Sequence, residues 1–396
     1  MDPQNSEDGF IPQDPERPRV AVAAGRSPYA NTREALARFQ LDRLRGRRVL
    51  LKPNAGRVAR PDSGIVTHPE VVAAALDAFA EAGARVSVGE SPISGVRARD
   101  ALEAAGIAEL ARARGCPLVD LDERDAVTVH IPDGKAIASL QVCRAVAEHD
   151  IVVSIPVMKT HMHTGVTLSV KNMKGCLWRR SKVELHMLPE IPDLAEKPLN
   201  VAIADMASVL RPHFAIVDGT VGMEGLGPSA GEPKPLGVVV AGCDAFAVDA
   251  VACRLMGTAA EEVPHLRMGA ERGYGTIALD QIEVLPDDWE THRQPFVPAP
   301  GNLSIEFPNI TVLDRNSCSG CQSTVLLFLR KHAAELFDYF PSNAPVRIAI
   351  GKGHDEIPEG TLCIGNCTAA HKERGIWVSG CPPVGSAILA ALKHRP

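Results

Sequence analysis

Asp150-Ile-Val-Val-Ser-Ile-Pro156 is the stretch on which the fold turns. Its apolar run has the length of a strand and is shorter than an ordinary helix, and β-branched side chains fall on both parities. Such a strand buries both of its faces, which happens where helices cover a sheet on both sides. The run is therefore expected at the centre of a mostly parallel sheet flanked by helices, an α/β fold.

Working outward, short β-branched runs keep alternating with helix-period runs. Strands are expected at 20–23, 48–52, 85–90 and 117–121, and helices at 31–45, from Thr67 to about Gly83, and at 98–114 with a break at Gly106. Thr67-His-Pro-Glu70 has the form of a capping box, with Thr67 as N-cap and Glu70 reaching back. Residues 127–140 read as a hairpin turning at Asp133-Gly134. Further on, a strand at 214–218 leads into a glycine-rich loop, 219–231, followed by a strand at 236–242 and a helix at 245–256. A Pro- and Gly-containing linker, 286–301, divides an α/β domain, residues 18–300, from a small C-terminal α+β module, residues 301–396. Within the module, helices are expected at 323–339 and 384–393 and strands at 346–351 and 361–364.

A chain of 396 residues with 45% hydrophobic residues and a mean hydropathy near zero can bury a core in each of two domains. Its net charge of −6 argues against a nucleic-acid partner or a basic membrane patch. Residues 1–17 are polar, with no basic start before an apolar run, so a disordered N-terminus and a cytoplasmic location are expected. In that compartment thiols stay reduced, which makes clustered cysteines metal ligands in preference to disulfides.

Five of the ten cysteines lie from Cys318 onward, in Cys318-Ser-Gly-Cys321, Cys363-Ile-Gly-Asn-Cys367 and Gly380-Cys381-Pro382-Pro383. Iron–sulfur clusters are held by cysteine thiolates, and a ligand cysteine followed by proline is a recurring feature of them. A structural zinc site competes, but it usually has two matched CxxC knuckles. Cys318, Cys321, Cys367 and Cys381 are the expected ligands of one [4Fe-4S] cluster. Cys363, in an apolar run, is the alternate to Cys367.

The second constellation lies in loops that follow strands, where open α/β sheets bind ligands. Lys52, Asn54 and Arg57 follow one strand, Glu90 ends another, Lys159, His161 and His163 follow the central run, and Asp218 and Glu224 follow a fourth. Lys171, Lys174 and His186 come from the irregular segment 157–200, and His68 from the helix start near Thr67. The cations suit a small anionic substrate. His161 and His163, alternating on one face of a strand, suit acid–base or anion contacts better than a metal. The glycine-rich run lacks a P-loop ending, so it reads as a backbone loop lying over a substrate.

With these residues in place, the chain resembles the family catalogued as domain of unknown function 362. The matching pieces include Leu51-Lys-Pro-Asn54, Thr67-His-Pro-Glu70, Pro156-Val-Met-Lys-Thr-His161, Gly165 through Gly175, Val217-Asp-Gly219, Met223 through Pro228 and Ala247 through Val251, within about Val20 to Gly275. The resemblance implies an α/β protein often joined to iron–sulfur cysteines, here in a single-cluster tail. It implies no settled reaction.

The resulting expectation is an iron–sulfur oxidoreductase whose cluster faces the crevice. Lys159 and Lys171 neutralise developing charge and His161 moves the proton. The substrate contacts are expected from Lys52, Asn54, Arg57, His68, Glu90, Lys174, His186, Asp218 and Glu224. The alternatives are a lyase or (de)hydratase using the cluster as a Lewis acid, or a non-catalytic electron carrier. An electron-donor protein is an optional partner, a flavin is an option that no motif indicates, and a homodimer is one option for the assembly.

Overall fold

The computed structural model describes residues 17–299, 307–340 and 345–393. The expected disordered N-terminus therefore lies almost wholly outside the described residues. Contacts divide the described residues into two compact units, one built from residues 17–185 and Pro189–Ala299, the other from His186–Leu188 and residues 307–340 and 345–393.

The first unit begins with β1 (Arg19–Ala24), α1 (Pro28–Leu36), β2 (Arg48–Pro53), α2 (Pro69–Glu81), β3 (Arg85–Glu90), α3 (Ala98–Ala104), α4 (Ile107–Ala113) and β4 (Leu118–Asp120). An antiparallel hairpin of β5 (Ala126–His130) and β6 (Ser139–Cys143) stands outside the main sheet. After α5 (Arg144–Glu148), the central run gives β7 (Ile151–Ile155), continued past Pro156 as β8 (Val157–His161), which hairpins into β9 (Gly165–Thr167). Then follow α6 (Ser169–Asn172), α7 (Ser181–Glu184), α8 (Pro198–Ala207), β10 (Phe214–Glu224), β11 (Glu232–Gly242), α9 (Ala245–Met256), α10 (Pro264–Glu271) and β12 (Glu283–Leu285).

The main sheet runs β12-β1-β11-β10-β7-β2-β3-β4, with β8 attached to β10 and β9 to β8. The pairs from β10 through β7, β2 and β3 to β4 are all parallel, while β11 is antiparallel to both neighbours. All five residues of β7 are buried between β10 and β2, as its two-sided apolar pattern requires. One face packs a core of Val49, Leu51, Phe79, Val153, Phe214 and Ile216. Phe39 and Phe79 meet the Phe214 ring edge-on at 5.0 and 6.1 Å. Helix α9 matches its expected bounds because both ends carry strong signals. Asp244 accepts the N–H groups of Phe246 and Ala247, and Gly257 adopts the left-handed conformation at the other end.

Several local expectations are corrected. The first helix starts at Pro28 under a Ser27 cap and stops at Leu36. The cap of α2 is His68, whose Nδ1 accepts the Glu70 N–H at 3.3 Å. The Thr67 hydroxyl is already committed, donating to Ile155 O at 2.6 Å and accepting the Asn54 N–H at 2.8 Å. The first part of the expected glycine-rich loop, 219–224, is strand, because β10 and β11 remain paired out to Glu224 and Glu232, and only 225–231 form the connection. Its glycines serve close packing of the chain on itself: a Cβ on Gly227 would lie 1.9 Å from Thr160 O, and one on Gly231 2.1 Å from Glu224 O.

The second unit contains β13 (Ile310–Asp314), α11 (Ser319–Leu336), β14 (Val346–Ile350), β15 (Thr361–Ile364), β16 (Gly375–Val378) and α12 (Gly385–Lys393). Its strands pair in chain order and all in parallel, so the sheet is of α/β type where an α+β module is expected. β13 and β16 are the strands the sequence reading lacks, and they supply the outer parallel partners. Ile348, Leu362 and Ile364 pack with Val325, Phe328 and Leu329 of α11.

Candidate functional site

In the first unit the carboxyl ends of β2, β3 and β7 form one edge, and the expected cations gather there. Lys52 and Glu90 are each 1% exposed and make a buried ion pair at 2.9 Å. The Lys52 ammonium also donates to Pro53 O at 2.8 Å and to Asn172 Oδ1 at 3.2 Å. The Glu90 carboxylate accepts the N–H groups of Ala55 at 2.7 Å and Ser91 at 2.8 Å. These two residues are therefore occupied with holding the β2 and β3 ends together.

Lys159 projects from β8, which carries the chain beyond the β7 end. Its ammonium donates to Asn54 Oδ1 at 2.6 Å and Ile65 O at 2.9 Å. Burial, then the charges of Lys171, Arg57 and Lys52, hold it well below the usual lysine range. Lys171, on the short helix α6, is pushed down to about 7 by burial. Arg57 is half-buried, and burial lowers its guanidinium without removing the charge. Neither Lys171 nor Arg57 has a hydrogen bond or ion pair among the described residues, which sets them apart from Lys52 and Lys159. Lys174 donates to Lys182 O at 2.8 Å and is also held low, by burial and then by Lys171 and Lys182.

The other expected residues divide into neighbours of this cluster and residues engaged elsewhere. The His68 N–H donates to Asp218 Oδ2 at 2.7 Å, and burial raises the Asp218 carboxyl despite the N–H groups it accepts. His161 ends β8, and its Nδ1 accepts the His163 N–H at 3.1 Å. A turn at 162–164 therefore replaces the expected strand face shared by the two histidines. Glu224 pairs with Lys234 at 3.3 Å and accepts the Val297 N–H at 3.0 Å, at the far end of the β10–β11 hairpin. His186 belongs to the second unit, where its Nδ1 lies 2.9 Å from Ser319 Oγ.

The reading of the residues missed Asn172, which bridges Lys52 and Ser154, and Asp249, whose carboxylate accepts the Ser169 and Val170 N–H groups at 2.8 and 2.9 Å. Burial pushes the Asp249 carboxyl up to about 7. It also missed His265 on α10, a fully buried imidazole that burial and Lys171 together push down to about 3. An open recess of about 440 Å³, lined in part by Arg97, Asp120, Asp122 and Arg179, lies near the β4 end rather than at the cation cluster.

In the second unit the cysteines sit at carboxyl strand ends. Cys318 precedes α11, Cys367 follows β15, and Cys381 follows β16. Cys321 donates its S–H to Cys318, an interaction that leads in drawing the Cys318 thiol down to about 6. The same bond and burial raise the Cys321 thiol, with further contributions from the charges of Cys318, Cys367 and Cys381. Those four thiols therefore share one neighbourhood. Asn366 ties the last two loops together: its N–H donates to Gly380 O at 2.9 Å and its Oδ1 accepts the Gly380 N–H at 2.8 Å. Cys363 is fully buried within β15, packs with Ala349 and Ile357, and burial pushes its thiol up to about 11.

Four thiols on neighbouring loops fit an iron–sulfur cluster in donor chemistry. As placed, no group of three or more His, Cys, Asp or Glu side chains among the described residues closes into a metal-holding arrangement. The fit is one of donor type and loop placement.

Residues 49–254 match the profile of a family described as Domain of unknown function (DUF362). Thylakoid-associated protein sll1697 of Synechocystis sp. is 30% identical over 252 residues, covering 62% of this chain and 76% of its own length. The structure of the lactate racemase apoprotein from Thermoanaerobacterium thermosaccharolyticum is similar over 64% of this chain and 59% of that one, at 14% identity and a TM-score of 0.40. A structure from Thermotoga maritima covers 61% of this chain and 59% of its own, at 12% identity and a TM-score of 0.35. Among the described residues no helix is long and apolar enough to cross a membrane.

Proposed function

The chain belongs to the DUF362 family, and from that premise we propose that it is an iron–sulfur oxidoreductase acting on a small organic anion bound at the Lys171–Arg57–Lys159 cluster. The observation that carries the reading is a pair of cations, Lys171 buried and Arg57 half-buried, with no partner among the described residues. A desolvated charge is costly, and an anionic ligand offsets that cost. Cys318, Cys321, Cys367 and Cys381 would hold the [4Fe-4S] cluster, which supplies one-electron transfer when bound. Four thiols for four irons favour that role over a Lewis-acid one, which needs an iron without a protein ligand.

Within the cluster of cations, Lys171 and Arg57 bind the anionic group. Lys159 fixes the Asn54 side chain and adds its field at the same place. His161, with Nδ1 accepting from the backbone, keeps its proton on Nε2 and is the group that moves a proton.

The test is iron content after anaerobic purification of single cysteine variants. The parent and Cys363→Ala are expected to hold about four irons per chain, and Cys318→Ala, Cys321→Ala, Cys367→Ala and Cys381→Ala far fewer. A colourless parent with one zinc would refute the cluster. Retention of iron by Cys367→Ala with loss in Cys363→Ala would reverse the ligand assignment.

A further inference from the structure

We infer that the anion taken by this site is a hydroxylated one, with its hydroxyl groups seated in a polar compartment where α6, α8 and α10 pack. The inference rests on the reading above that Lys171 binds an anion. Its own support is a set of buried polar atoms without hydrogen-bond partners on the elements that pack about α6 and β9: both ring nitrogens of His265, Oδ1 of Asn200 and Oγ1 of Thr167. His265 is 0% exposed, Asn200 3%, Thr167 5% and Lys171 8%.

These groups come from elements that meet. Lys171 lies on α6, α6 packs on α8 with Asn200, and α8 packs on α10 with His265. Lys171 and His265 are close enough for the lysine's charge to act on the imidazole. Thr167 stands opposite Lys159 across the β8–β9 hairpin.

The hydrogen-bond inventory selects the ligand class. Lys171 offers donors alone, a neutral His265 offers one donor and one acceptor, and the Thr167 hydroxyl can do either. Asn200 donates through Nδ2 to His163 O at 3.5 Å, which leaves Oδ1 as the atom seeking a donor. A bare carboxylate or phosphate accepts and never donates. It would satisfy Lys171 and the His265 N–H, and leave Asn200 Oδ1 and the second His265 nitrogen unmet, an expensive outcome for buried groups. An anion that also carries hydroxyl groups supplies both needs.

The experiment measures binding of succinate, malate and tartrate, matched four-carbon diacids with none, one and two hydroxyls, to the full chain by calorimetry. The parent is expected to bind tartrate about tenfold more tightly than succinate. His265→Phe and Asn200→Leu should erase that preference while succinate binding persists, and His265→Gln, which keeps a donor and an acceptor, should restore part of it. Equal affinity for the three diacids, lost in Lys171→Met, overturns the hydroxyl compartment, assigns its polar atoms to ordered water and leaves the anion site standing. No binding of any of the three overturns both.

Discussion

Replacing Lys52 by methionine tests whether the Lys52–Glu90 pair clamps the edge that carries the site. The substitution keeps the length of the side chain and removes its charge together with the bonds to Glu90, Pro53 O and Asn172. The Glu90 carboxylate, 1% exposed, keeps only the Ala55 and Ser91 N–H groups as partners. Breaking one side of a buried pair costs about 3–5 kcal/mol, because the remaining charge is stranded away from water. At about 2–4 °C per kcal/mol for a domain of this size, the melting temperature should fall by about 6–20 °C. Removing both charges, in Lys52→Met with Glu90→Gln, leaves no stranded ion, so most of the loss should return. Thermal melts followed by circular dichroism at neutral pH measure both. A single variant within about 1 kcal/mol of the parent, or a double variant less stable than the single, would refute the clamp.

Two further outcomes follow from neighbouring residues. Gly175→Ala would place a Cβ 2.6 Å from both Cε and Nζ of Lys52, so it should lower stability by about 1–3 kcal/mol in urea unfolding, through the same pair. Lys171 titrates near 10.5 when unfolded and about 7 when folded, so between those values the unfolded chain binds the extra proton. Stability should therefore rise with pH across that window and flatten in Lys171→Met, as urea unfolding at about pH 7.5 and about pH 9.5 would show.

The sheet centre and α9 were legible because their signals are local. A two-sided apolar run has one comfortable home, and Asp244 and Gly257 mark helix ends by backbone chemistry alone. The α2 cap was not, since Thr67 and His68 are adjacent and Thr67 is claimed by Ile155, a residue 88 positions away. The β10–β11 hairpin was misread as a loop because its glycines look like flexibility in sequence and act as clearance in space. Of the site, the cations following strands could be read, because parallel sheets place such loops together. His265 carries no such mark: a lone histidine on a helix becomes chemically interesting through the packing of α6 and α8 around it. The outer strands of the second unit, β13 and β16, are as long as β14 and β15 but bury fewer of their residues, so pairing, rather than an apolar run, defines them.

Asn366 gives the cysteine loops a mechanical property that the thiols lack. By holding Gly380 through both its backbone and its side chain, it ties the segments bearing Cys367 and Cys381 to each other. Four donors thus reduce to two pairs, one set by the first turn of α11 and the other by this stitch. In the proposed cluster, the spacing of the four donors would then depend on one distance between two pieces, adjustable at an amide that ligates nothing.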